Sequence, residues 1–106
     1  MAKDKNVCSI KVGGISYRVY LMDKVEIEGD SNYLGSCNTE TSRIEIKRGL
    51  SEEKTEQVLI HELLHAIIEE ASIESDNEEF IVTQLAPVLH QVLIDNKIIG
   101  ALKKGS

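Results

Sequence analysis

Residues 51–71 read SEEKTEQVLIHELLHAIIEEA, and the spacing of the apolar side chains within them organises the rest of the chain. Val58, Leu59, Leu63, Leu64, Ile67 and Ile68 recur three and four positions apart, which is the period of an α-helix with one buried stripe. Ser51 is a good N-cap for such a helix, and Glu52 and Glu53 put negative charge at the positive end of its dipole. The pattern predicts a helix running to about Ala71. Upstream the period is two: Ile10 and Val12, then Tyr17, Val19 and Leu21, then Val25 and Ile27, and later Ile44 and Ile46, all of which read as strands. Gly13-Gly14 is a hairpin signal, and Gly29, Asp30, Ser31 and Asn32 form a second turn cluster. Residues 33–37 (YLGSC) and 43–47 (RIEIK) flank a polar turn and are expected to pair as a further hairpin.

Downstream, a polar loop at residues 72–77 precedes a second helical pattern from about Glu78 to Asn96. Ile81, Val82, Leu85, Val88, Leu89, Val92 and Leu93 would give it one broad apolar face. Pro87 lies inside and removes one backbone hydrogen bond, so a kink, or an end and restart, is expected there. The expected fold is α+β: a small antiparallel sheet followed by an active-site helix and a second packed helix. A chain of 106 residues supports one domain, 1–106, with an ordered core of about 8–96 and a frayed polar start at residues 1–6. Residues 103–106 carry no pattern.

With 42% apolar and 28% charged residues the chain can bury a modest core. Its 18 acidic residues against 12 basic ones, a net charge of -6, argue against a nucleic-acid partner, which needs a concentrated basic surface. Cys8 and Cys37 allow one disulfide at most and are expected to be reduced thiols on strands. No apolar run reaches the ~18–20 residues of a membrane span, and the first residues lack the apolar segment of a signal peptide, so no membrane partner and a cytoplasmic location are expected.

The chemistry concentrates in His61-Glu62-Leu63-Leu64-His65, an H-E-x-x-H pattern. Imidazoles at i and i+4 project from one stripe of a helix and can share one Zn²⁺. Glu62 is about 100° around the helix from His61, beside the metal without being a ligand. There it can act as general base toward a metal-activated water attacking a peptide carbonyl, and then protonate the leaving amine. The plain alternative is a pair of half-exposed histidines on an amphipathic helix. Catalytic zinc normally takes three protein ligands, and the AIIEE that follows His65 excludes the H-x-x-G-x-x-H continuation. A glutamate at the start of the second helix would complete a His₂Glu set, and Glu79 is preferred over Glu78 or His90. Thr83, one turn on, could hydrogen-bond it, and Ala86 would let the helices approach.

These residues resemble a known family. A strand RIEIK, a short link, a helix carrying LIHELLHAI and a helix opening with Glu-Glu are similar to the small zincin-type proteins of phages and mobile elements, and to the ImmA/IrrE metallopeptidases. That family often reads H-E-x-x-H followed by E-x-x-A-N-x-F-A. His61, Glu62 and His65 match the metal-site positions and Glu79 matches the third-ligand glutamate. Val82 stands at the family's alanine, Thr83 at its asparagine, Leu85 at its phenylalanine and Ala86 at its last alanine, across roughly residues 33–90. The resemblance implies a minimal zincin, a zinc metallopeptidase whose substrate is an intracellular protein or peptide, such as a regulatory protein. The alternative of another class is a non-catalytic protein-binding module with a structural or relic metal site.

In zincins the strand before the active-site helix often forms a rim along which an extended substrate adds as a strand, which here means residues 44–47 or 33–37. Tyr17, Tyr20 and Tyr33 are packing residues by type, with an oxyanion-stabilising hydroxyl as the sharper reading. Glu69, one turn beyond His65, could orient an imidazole.

Overall fold

The computed structural model describes residues 5–96; the expectations for residues 1–4 and 97–106 fall outside them. In chain order the elements are β1 (Lys5–Val12), β2 (Ile15–Met22), β3 (Val25–Ile27), β4 (Asp30–Tyr33), β5 (Gly35–Asn38), β6 (Arg43–Lys47), α1 (Glu52–Glu70) and α2 (Glu78–Asp95). The fold is α+β, as the change of period from two to near four implies. β1 already starts at Lys5 and pairs Lys5 with Leu21 and Asn6 with Tyr20, so the polar start is shorter than expected.

Gly13 and Gly14 both have positive φ, +58° and +89°, and close the β1–β2 hairpin with the two-residue turn that matches strand twist. The second turn falls earlier than the cluster suggested, on Glu28 and Gly29, because both take positive φ while Asp30, Ser31 and Asn32 enter β4. Tyr33 also belongs to β4, and the strand paired with β6 is Gly35–Asn38. Its turn is tied by Asn38, whose Oδ1 accepts from the backbone N–H groups of Glu40 and Thr41 at 3.0 and 3.1 Å.

The main sheet has four strands in the order β1-β2-β6-β5, and β3-β4 forms a separate two-stranded ribbon. The sheet is mixed rather than wholly antiparallel, since β2 and β6 run parallel, Val19 facing Ile44 and Leu21 facing Ile46. Side-chain alternation is the same in both pairings and carries no strand direction. The excursion through β3, β4 and β5 supplies the length for the crossover. Tyr17, Val19, Ile44 and Ile46 point to one face and are buried there under Val58 and Ala66 of α1. On the other face Arg43 pairs with Glu45 at 2.7 Å and lies over the Tyr20 ring.

Ser51 caps α1, its hydroxyl accepting from the Lys54 N–H at 3.1 Å. The helix ends in a Schellman arrangement: Ile73 N–H donates to Ile68 O and Ser72 N–H to Glu69 O, with Ser72 at φ +57°. α2 runs unbroken through Pro87. Its expected broad apolar face is not buried as such. A stripe of Val82, Ala86 and His90 packs on α1, while Ile81, Leu85, Val88 and Leu93 stay exposed, because α2 lies on the outer side of α1 and needs only one stripe to dock.

At Gly35 the edge strand β5 passes directly under α1. A Cβ there would sit 2.5 Å from Val58 Cγ1 and 3.2 Å from Glu62 Oε2. Valine in a helix has essentially one rotamer and cannot step aside cheaply. Gly35→Ala is therefore expected to lower stability by roughly 1–3 kcal/mol in urea unfolding; an unchanged midpoint would show that β5 and α1 have slack between them.

Candidate metal centre

The stripe of α1 that faces the sheet is Val58, Glu62 and Ala66, one residue per turn. Glu62 thus lies at the centre of the packed stripe, 8% exposed, although it is no part of the apolar pattern of the helix. Space for its carboxylate comes from the bare backbone of Gly35. Burial pushes its carboxyl up from the usual 4.5 to about 7; Glu79 adds to the rise, and His65 opposes it.

His61 and His65 lie one turn apart on the neighbouring stripe, their ring centroids separated by 5.2 Å. Both face the first turn of α2. His61 Nε2 is 2.9 Å from Glu79 Oε1, and His65 Nε2 is 2.8 Å from Glu79 Oε2, so the carboxylate bridges the two rings. The other ring nitrogen of His65, Nδ1, is 2.6 Å from Glu78 Oε2. His61, His65 and Glu79 each offer a ligand atom within 4.8 Å of the others. Two imidazole nitrogens and a carboxylate are a donor set that suits Zn²⁺ and leaves a further coordination position, so these residues fit the ion that the H-E-x-x-H spacing implies.

Thr83 Oγ1 is 3.5 Å from Glu79 Oε1, a long contact. Ala86 is buried between the helices, as its size suggested. His90 lies outside the ligand group: it is 7% exposed, and its Nε2 is 3.0 Å from Glu56 Oε1, locking the far end of the helix pair. Glu69 does not take His65 Nδ1, which Glu78 occupies. Tyr17 is fully buried and donates from its hydroxyl to Glu70 Oε2 at 2.7 Å; burial and that carboxylate hold its own pKa well above the usual tyrosine range. Tyr20 stacks under Arg43. Both are structural, and only Tyr33 of the three borders the site. Cys8 and Cys37 are free thiols on β1 and β5, and burial pushes Cys37 up to about 12.

The histidines open into a groove of about 1230 Å³. Tyr33, Gly35 and Cys37 border it on the sheet side, and His61, His65 and Glu79 on the helix side. β5 ends the sheet and lines this groove, whereas β6 is paired on both sides, so the open rim is β5. Among the described residues no helix is long and apolar enough to cross a membrane. No protein-family model, curated protein or solved structure matches the chain.

A raised carboxyl pKa has a definite stability signature. Between about pH 4.5 and 7 the native state binds more protons at Glu62 than the unfolded chain does, so stability falls as pH rises through that window. In metal-free protein Glu62→Gln is expected to gain up to roughly 3 kcal/mol over wild type at about pH 8 and little at about pH 4. Denaturant melts at the two pH values check this, and an equal effect at both would contradict desolvation of the carboxylate.

Proposed function

We propose that the chain is a zinc-dependent metallopeptidase that hydrolyses peptide bonds of an intracellular protein, a reading that agrees with its resemblance to the ImmA/IrrE peptidases. One observation carries it: two imidazoles and a carboxylate converge within 4.8 Å, beside a buried glutamate that is not one of the three. A purely structural metal site has no use for such a group, whereas a hydrolytic one needs a base beside the ion.

His61, His65 and Glu79 would hold the ion, which supplies Lewis acidity toward water and the substrate carbonyl. Glu62 accepts a proton from the attacking water and delivers it to the leaving amine. The free edge of β5 offers backbone groups to an extended peptide, which would lie along the groove as an added strand.

Elemental analysis of the purified protein is expected to find about one zinc per chain, lost in His61→Ala and in Glu79→Ala. Glu62→Gln is expected to keep the zinc and the fold while its rate on an unstructured protein substrate drops by at least about 100-fold. Absence of zinc after reconstitution would sink the metal centre. Zinc binding with undiminished hydrolysis in Glu62→Gln would remove the general base, and zinc binding without any hydrolysis in wild type would leave a non-catalytic binding module.

A further inference from the structure

We infer that Glu78 is a positioning residue, one that accepts a hydrogen bond from His65 Nδ1–H and so holds the Nε2 lone pair of that ring toward the metal position. The inference rests on the metal-centre reading above and adds to it a division of labour between two adjacent acids. His65 is gripped at both nitrogens: Nδ1 by Glu78 Oε2 at 2.6 Å and Nε2 by Glu79 Oε2 at 2.8 Å. The two ring nitrogens point in different directions, and consecutive helix residues project about 100° apart, so Glu78 and Glu79 reach opposite sides of one imidazole. Glu79 belongs to the group of atoms close enough to share an ion, and Glu78 does not. Glu78 is also the more sheltered, its side chain 37% exposed against 70% for Glu79, as befits a group that holds a ring rather than one that faces the groove.

The chemistry follows from the tautomers of imidazole. A ring that binds a metal through Nε2 carries its proton on Nδ1, and a carboxylate on Nδ1–H fixes that tautomer, sets the ring plane and raises the basicity of Nε2. His61 has no equivalent: its hydrogen bond is at Nε2, to Glu79 at 2.9 Å, and among the described residues none reaches its Nδ1. His65 is therefore the preorganised ligand of the pair. Because Glu78 opens α2, the same bond pins the start of that helix to α1 and fixes where Glu79 points.

Zinc affinity, measured by competition with a chromophoric chelator, separates this role from its rivals. Glu78→Ala is expected to bind one zinc per chain roughly 10–100-fold more weakly than wild type. Glu78→Gln, whose amide oxygen still accepts from Nδ1–H, is expected to recover affinity to within a few-fold. In the proton NMR spectrum of the zinc-loaded protein, the His65 Nδ1–H signal is expected to be protected from solvent exchange in wild type and Glu78→Gln and to be lost in Glu78→Ala. A freely exchanging signal in wild type overturns the inference without any variant, as does unaltered affinity in folded Glu78→Ala. Loss of zinc from Glu78→Ala with retention in Glu79→Ala would make Glu78 the ligand instead. Failure of wild type to bind zinc would sink the underlying reading of the centre, and this inference with it.

Discussion

Helix α1 packs on the sheet through a stripe that contains a carboxylate, and much of the molecule is arranged around that burial. Val58 and Ala66 supply apolar contact above and below, and Gly35 removes the side chain that would otherwise collide with Val58 and crowd Glu62. Burial at this depth penalises the charged carboxylate, so its proton affinity rises, and at pH above about 7 the desolvation costs stability that a glutamine there would return. Once Glu62 faces the sheet edge, the phase of the helix is set. His61 and His65 then fall on the adjoining stripe and can face only the second helix.

The second helix meets the first through a buried stripe and through the groups of the site. The contacts His61–Glu79, His65–Glu78 and His65–Glu79 tie its first turn, and His90–Glu56 ties its far half, with Val82 and Ala86 buried between. Residue 65 meets residue 78 while residue 56 meets residue 90, which makes the two helices antiparallel across the loop at residues 72–77. Site and scaffold are thus the same interface. A cation bound between the helices would neutralise part of the acidic first turn of α2, and its binding energy would add to folding energy.

The helices, the capping serine and the hairpin at Gly13-Gly14 were all legible in the sequence, because each depends on local spacing or on a single residue's conformational preference. The HELLH stripe was legible for the same reason. Strand direction was not, since alternation looks the same in parallel and antiparallel pairs, and the β2–β6 pairing depends on where a distant excursion returns. The depth of Glu62 was not legible, because a charged residue does not enter the apolar spacing; the sequence signal beside it is Gly35, a glycine within the strand expected at 33–37. The exposed apolar residues of α2 misled in the other direction. Periodicity reports which side chains share a face, and it does not report whether a partner covers that face. The residues one and two turns on favour Glu79 over Glu78, but the separate contact of Glu78 with His65 Nδ1 depends on the geometry of α2 against α1.

The most direct test of this account is anomalous diffraction at the zinc absorption edge from crystals of the zinc-loaded protein. One strong peak per chain is expected, about 2.0–2.2 Å from Nε2 of His61, Nε2 of His65 and a carboxylate oxygen of Glu79. A peak elsewhere, or none in protein that binds zinc in solution, would contradict it.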